Sequence, residues 1–174
     1  MKKLSVILIA LLIANSFWSC EKDDICAEGT PTTPSLIIEF YDKDNRSELK
    51  PITNLKYYAE GMETEIDSVT GSKIELPLRT NAQSTKWALI LTKTTNNVTT
   101  INTDFVEFKY QTRNEYVSRA CGYKTLFTLN QDSDTDPNPF ITDNIPADDF
   151  WIQGTVIEQT NVEDENEVHV KIYF

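Results

Sequence analysis

The feature that most constrains this fold is an alternation of apolar and polar side chains with a period of two residues. It recurs in four segments: Leu36–Tyr41, Lys73–Leu78, Phe105–Tyr110 and Val168–Phe174. Successive side chains of an extended strand point to opposite faces, so this pattern places one face inward and one toward solvent. No amphipathic helical pattern persists for more than a turn or two. The sequence therefore predicts an all-β body.

Further strands are predicted from β-rich runs at residues 55–60, 98–103, 123–129 and 151–158. Trp87–Leu91 is apolar on both faces, which is typical of a central strand. Many short strands without helices predict a single-domain antiparallel β-sandwich, immunoglobulin-like or similar, over residues 35–174. A small β-barrel is the alternative.

Turn residues separate the predicted strands at 44–45, 70–72, 96–97, 136–139 and 163–166. Thr70-Gly71-Ser72 lies between two apolar runs and predicts a hairpin from Ile66 to Ile74. Glu163–Asn166 likewise predicts a hairpin that joins the strand beginning at Trp151 to the last strand.

The N-terminus has the layout of a secretory signal. Lys2 and Lys3 precede an apolar run, Leu4–Ala14, and Ser19 stands at the cleavage position. Because Cys20 follows that small residue, we predict a lipoprotein signal at residues 1–19 and a diacylglyceryl group on the Cys20 thiol. The apolar run is too short for a bilayer span, which needs about 20 residues. Plain secretion is the alternative.

Residues 20–34 are predicted to be an acidic tether that begins at the acylated Cys20. Glu21-Lys22-Asp23-Asp24 resembles the short export tag of surface-displayed lipoproteins in Bacteroidetes-type bacteria. The tag favours the cell surface, with the periplasmic face of the outer membrane as the alternative.

The charge balance restricts the partners. Loss of residues 1–19 removes two lysines and changes the formal charge from −11 to −13, on 155 remaining residues. A chain of that length suits one domain. A field of that sign repels phosphate, so we expect no nucleic-acid partner.

Two cysteines, Cys26 and Cys121, remain once Cys20 is assigned to lipid. In an exported protein two cysteines usually pair, so we predict a disulfide with Cα atoms about 4.4–6.8 Å apart. Two buried free thiols are the alternative. A metal site is less favoured because no His or third Cys is placed to complete it.

No catalytic residue is predicted, and the chain is expected not to be an enzyme. The single histidine, His169, falls on the polar face of the last strand, where we expect it to be exposed. No serine has a nucleophile-elbow pattern around it. A pair of carboxylates could serve glycoside hydrolysis, but carboxylates are also what an acidic surface consists of.

Two short patterns suggest modification or metal binding. Asp132, Asp134 and Asp136 have the alternate spacing of a calcium loop, but Pro137 stands where such a loop needs glycine. We expect a solvated turn, with calcium as the weaker alternative and no cofactor.

Asp67-Ser68-Val69 resembles an O-glycosylation signal of exported Bacteroidetes proteins, with the sugar on Ser68.

Most aromatic residues are predicted to be core by their alternation: Tyr57, Tyr58, Trp87, Phe140, Phe150 and Trp151. Phe140 and Phe150 lie near a proline-rich loop and could contribute to a binding patch. Because Phe150 and Trp151 are adjacent in sequence, they fall on opposite faces, and one of them is expected to be exposed.

Several segments together resemble an uncharacterised group of small Bacteroidetes lipoproteins: the approach from Cys26 to Pro34, the strand ending Phe40-Tyr41-Asp42, Leu76-Pro77-Leu78, Tyr116–Tyr123 and His169–Phe174. The most specific of them is Ser118–Tyr123. The resemblance covers the whole chain after the signal. It implies a location, an architecture and both cysteines, but no reaction.

These observations predict an outer-membrane or cell-surface lipoprotein with a non-enzymatic, protein-interaction role, held at the membrane by its lipid. An outer-membrane protein is a candidate partner. The alternative is a surface glycan-binding module. A cluster of coplanar exposed aromatic rings would favour glycan, whereas a flat apolar patch or an open, uncharged strand edge would favour protein.

Overall fold

The structure is a computed structural model that describes residues 25–62 and 66–174. The predicted signal at 1–19, the acylated Cys20 and the export tag at 21–24 lie outside the described residues. Within the described ranges, no helix is long and apolar enough to cross a membrane.

Eleven strands are described. Their bounds are β1 Leu36–Tyr41, β2 Ile52–Ala59, β3 Ile66–Gly71, β4 Lys73–Leu76, β5 Ser84–Thr95, β6 Val98–Ser118, β7 Gly122–Leu129, β8 Phe140–Asp143, β9 Gly154–Ile157, β10 Asn161–Val162 and β11 Val170–Tyr173.

The strands form two sheets. The four-stranded sheet has the order β4-β1-β11-β9, and the seven-stranded sheet has the order β10-β7-β6-β5-β2-β3, with β8 paired to part of β6. The pairing is mostly antiparallel; β1 and β11 are parallel. Neither sheet closes on itself, so the all-β sandwich is confirmed and the barrel alternative is not adopted.

The β5–β6 hairpin is the longest pairing and shows how local sequence sets register. Asn96 and Asn97 form its turn with φ angles of 52° and 62°. Two consecutive positive φ angles match the right-handed twist of the flanking strands, and asparagine tolerates them. The register then runs from Thr95 opposite Val98 to Ser84 opposite Lys109.

The core lies between the inward faces of the two sheets. Its largest fully buried side chains include Trp87, Phe40, Phe108, Tyr110 and Phe127. Trp87 is on β5, which lies between β2 and β6, so the predicted central strand is confirmed. Tyr57 and Trp151 are also buried as predicted, whereas Phe140 and Phe150 are exposed.

The predicted hairpin across Thr70-Gly71-Ser72 is wrong. The two strands on either side of it lie in different sheets, because β3 pairs with β2 and β4 pairs with β1. The β4 side chains Ile74 and Leu76 join the core opposite Ile38 and Leu36. The turn signal is real, but a local signal does not specify which sheet the next strand enters.

The prediction that Glu163–Asn166 connects two paired strands names the right strands but misses a short strand, β10, between them. β9 and β11 are antiparallel neighbours, as expected for a hairpin. Between them the chain crosses to the other sheet, where β10 pairs with β7. Val162 explains this detour, because it is fully buried in the core from that position.

The chain divides into two compact units. One contains residues up to Pro31 together with Tyr116–Tyr123, of which residues 25–31 and 116–123 are described. The other contains Thr32–Glu115 and Lys124–Phe174 and includes the whole apolar core.

Candidate functional site

Cys26 and Cys121 form a disulfide with Cα atoms 4.8 Å apart, as predicted. The backbone around Cys121 is organised by two neighbours. The Cys121 N–H donates to Ser118 Oγ at 3.0 Å, and Gly122 has a φ of 72°. Residues with a side chain rarely adopt that φ, and no atom lies within 4 Å of where a Cβ would be. Glycine is therefore needed here for its backbone conformation rather than for close packing.

Two exposed tyrosines, Tyr116 and Tyr123, flank this turn. Their rings lie 5.3 Å apart, but the planes meet at 67°. A sugar ring stacks on a flat aromatic surface, and an edge-to-face pair does not provide one. The pair therefore does not meet the condition that would favour a glycan-binding module.

The prediction that His169 is exposed is wrong, because its side chain is buried (1% exposed). The ring Nδ1 of His169 accepts a hydrogen bond from the Ile37 N–H at 2.9 Å, and the backbone N–H of His169 donates to the Ile37 carbonyl at 3.0 Å. Burial lowers the pKa of His169. The neutral imidazole thus acts as a main-chain-like partner that joins β1 to the start of β11.

The aspartates of the calcium alternative do not converge. Asp132 Oδ1 accepts from the Asn138 N–H at 3.0 Å, and Asp136 forms an ion pair with Lys109. Asp134 is exposed. Across residues 25–62 and 66–174, no group of three His, Cys, Asp or Glu side chains is placed to hold a metal ion.

Asn138, a buried residue not anticipated from sequence, holds this loop to β6. Its Oδ1 accepts from the Lys109 N–H at 2.8 Å, and its Nδ2 donates to the carbonyls of Lys109 and Asn130. The amide thereby replaces a strand partner for β6. Its role follows from the loop's final position, which no local pattern indicates.

Asp104 is a second buried polar residue that the sequence did not reveal. It lies on β6, opposite Asp143 of β8, with no solvent exposure. Its Oδ2 accepts from the Ile152 N–H at 2.7 Å, whereas its Oδ1 is buried without a partner in the described structure. Burial, together with the charges of Asp143 and Asp148, raises the pKa of Asp104 to about 6.

Asp104→Asn is expected to stabilise the protein at pH 8. A carboxyl group whose folded pKa is raised favours folding while protonated, and this contribution is lost as the pH rises from about 4 to about 6. An amide avoids that loss, which is about 3 kcal/mol for a pKa that folding raises from about 4 to about 6. The measurement is the free energy of unfolding in urea between pH 3.5 and 8.

The matched control for Asp104→Asn is Asp134→Asn, which removes one negative charge from an exposed position. The difference between Asp104→Asn and wild type should grow with pH across that window. A difference that does not change with pH would contradict the account of a buried, protonatable carboxyl group.

Ser68 lies on β3, the last strand of the seven-stranded sheet, and its side chain is exposed. The hydroxyl is therefore accessible to a modifying enzyme. Glycosylation of Ser68 stays a prediction.

The end strands of the two sheet orders differ in how they discourage pairing with another chain. β4 carries Lys73 and Glu75, β3 pairs with β2 through register shifts, and β10 has only two residues. Charges, irregular register and short length all block edge pairing. β9, Gly154–Ile157, carries no charged residue and pairs with β11 without a register shift.

An apolar hollow of about 330 Å³ adjoins the start of β9. Its lining includes Ile141 of β8, Phe150 and Ile152. Phe150 is 46% exposed and Val156 of β9 is 37% exposed. The sequence prediction that either Phe150 or Trp151 is exposed is thereby confirmed. The open edge and the hollow form one surface, which we call the β9 surface.

Fold and site together define a disulfide-containing β-sandwich protein with an open, uncharged strand edge at β9. The chain belongs to the DUF6452 family, a family of unknown function, whose sequence profile matches residues 54–174. No curated protein and no solved structure matches the chain. Membership agrees with the prediction of an uncharacterised family and supplies no activity; that its members are Bacteroidetes lipoproteins stays a prediction.

Proposed function

We propose that this protein is a lipid-anchored, non-enzymatic interaction protein of the outer membrane or cell surface. The signal layout before Cys20, the export-tag resemblance at 21–24 and the resemblance to Bacteroidetes lipoproteins support the location. A disulfide between Cys26 and Cys121 fits an oxidising compartment outside the cytoplasm. The Cys20 lipid holds the protein at the membrane, and its β-sandwich binds a protein partner.

The observation that carries the binding role is the open edge of β9. A strand edge presents unpaired N–H and C=O groups, and an extended peptide can add to it as a further strand. Gly154, Thr155, Val156 and Ile157 bring no charge that would oppose such pairing. In this mode, main-chain hydrogen bonds supply affinity and adjacent hollows select side chains.

The expected partner is an extended, neutral or basic segment of another protein. An apolar side chain of that segment enters the hollow at Phe150 and Ile141. The net charge of −11 disfavours an acidic segment, since like charges repel as the two chains approach. An outer-membrane protein with an exposed strand or loop of that composition fits this chemistry.

A photocrosslinking experiment in intact cells tests the proposal. A benzoylphenylalanine side chain at Phe150 should form a discrete crosslink to one protein, because that ring borders the hollow. Val156→Lys, which places a charge on β9, should abolish the crosslink. The products are identified by mass spectrometry.

The same photoreactive side chain at Tyr123 is the matched control, since this exposed aromatic residue lies in the other compact unit. It should not give the crosslink. The proposal fails if Phe150 and Tyr123 give the same products, or if Val156→Lys leaves the Phe150 crosslink unchanged. Retention of the protein by immobilised surface polysaccharide instead would favour the glycan-binding alternative.

A further inference from the structure

The inward face of β5 changes character along the strand. Trp87, Leu89 and Leu91 are the inward residues of its apolar half, and Lys93 continues the same alternation. On the paired strand β6, Asn102 lies opposite Leu91 and Thr100 lies opposite Lys93. The positions that continue this face near the end of the hairpin are therefore polar or cationic, and the apolar core does not continue to the end of the strands.

A cavity of about 500 Å³ occupies this end, and its inner part is apolar. The apolar side chains that line it include Ile52, Leu91, Trp151 and Phe174. Trp151 is fixed by a hydrogen bond from its Nε1 to the Leu89 carbonyl at 3.2 Å, and its ring meets Phe174 edge to face at 5.7 Å. A volume of this size, with rigid aromatic walls, suits a small organic ligand.

The rim of the cavity is cationic. Three lysines line it, namely Lys43, Lys50 and Lys93, and none of its lining residues, all within the described part of the chain, is acidic. Asp42 and Asp44 contact two of these lysines from outside the lining, so three cations against two anions leave a small local reversal of the net charge of −11. Such a reversal attracts an anion to this position.

The three lysines are not equally available to a ligand. Lys50 forms an ion pair with Asp42 at 2.9 Å and donates to the Phe174 carbonyl at 2.8 Å, so it has a structural role. Lys43 makes only a long, exposed contact of 3.4 Å with Asp44. Lys93 is exposed and forms no ion pair within residues 25–62 and 66–174. Lys43 and Lys93 are the two cations that can receive a ligand's charge.

We propose that this cavity binds a long-chain carboxylate, a molecule with an unbranched apolar chain and one anionic head. The chain lies against Trp151 and Phe174, and the head lies between Lys43 and Lys93. Two separate ammonium groups suit one carboxylate, whereas the bidentate recognition typical of phosphate uses arginine, which is not among the lining residues. This site is separate from the β9 surface and does not depend on the proposed protein partner.

Decanoate is the probe, titrated into the protein without residues 1–20 and followed by isothermal calorimetry. Decanoate should bind with a stoichiometry of one. Decanol, which has the same chain without the charge, should bind at least about tenfold more weakly. Octanoate should also bind roughly tenfold more weakly, because two fewer methylene groups are buried. Raising the salt concentration should weaken decanoate binding.

Paired variants locate the site. Lys43→Gln/Lys93→Gln should weaken decanoate binding about tenfold, whereas Lys73→Gln/Lys86→Gln, with the same change of charge outside the cavity, should not. Thr53→Trp, which fills the cavity from its exposed rim, should prevent binding. Circular dichroism checks that each variant is folded.

The inference is overturned if decanoate does not bind, if decanol binds equally well, or if both double-lysine variants bind decanoate like wild type. Val156→Lys should leave decanoate binding unchanged, so failure at one of the two sites says nothing about the other. A short peptide with an apolar C-terminus that displaces no decanoate would agree with the proposal. If that peptide binds more tightly than decanoate, the cavity is a peptide-binding site and the proposal of a long-chain carboxylate is wrong.

Discussion

Cys20→Ala is expected to move the protein from the detergent phase to the aqueous phase in a phase-partition assay, and to abolish labelling by palmitate. The lipid attaches through the cysteine thiol, which alanine lacks. A single acyl chain gives only marginal membrane binding, and stable anchoring needs two or more signals. A diacylglyceryl group on Cys20 supplies two chains at once, so its loss removes the whole anchor.

The matched control is Cys26→Ala/Cys121→Ala, which removes two cysteines and keeps Cys20. That variant should remain in the detergent phase and should incorporate palmitate as wild type does. If Cys20→Ala still follows the detergent, then the membrane contact lies elsewhere in the chain. If Cys20→Ala leaves the detergent phase but retains the label, then another residue carries the acyl group.

The parts of the fold that the sequence predicts are those set by neighbouring residues. Alternation at Leu36–Tyr41 and Phe105–Tyr110 indicates strands because each side chain's face follows from its position in the strand. Asn96-Asn97 indicates the β5–β6 turn because asparagine tolerates the positive φ angles found there. These strands and this turn can be predicted without knowing which strands pair with them.

Pairings between distant segments are what the sequence does not specify. β1 and β11 are parallel neighbours more than a hundred residues apart, and His169 is buried because of that arrangement. The alternation correctly places His169 off the apolar face, but it cannot show that Ile37 lies beside it. Asp104 is similar, since its neighbours Asp143 and Ile152 come from segments far along the chain.

The candidate sites follow the same division. Adjacent positions in an extended segment predict that Phe150 and Trp151 differ in exposure, and they do. The openness of β9 depends on which strands become end strands, so it emerges only with the sheet order. From sequence alone Lys93 is an ordinary surface lysine, because nothing local indicates that Trp151 and Phe174 line the same cavity.

Removal of the disulfide is expected to cause a large loss of stability. The bond closes a loop of 95 residues. In the chain-entropy description a cross-link of that span stabilises the folded state by roughly 4–5 kcal/mol, with smaller gains often measured. Cys26→Ser/Cys121→Ser should therefore lower the urea midpoint without changing the fold. The measurement is made in the Cys20→Ala background, in which Cys26 and Cys121 are the only cysteines.

Three controls make the disulfide result interpretable. Native Cys20→Ala protein should show no free thiol, and reductant should lower its urea midpoint to that of the serine variant. Reductant should have no effect on the serine variant itself. Ser118→Ala, which removes only the acceptor of the Cys121 N–H bond, should cost about 1 kcal/mol, well below the loss from breaking the cross-link. Two titratable thiols in the native protein, or equal midpoints with and without the bond, would contradict a disulfide that constrains the unfolded chain.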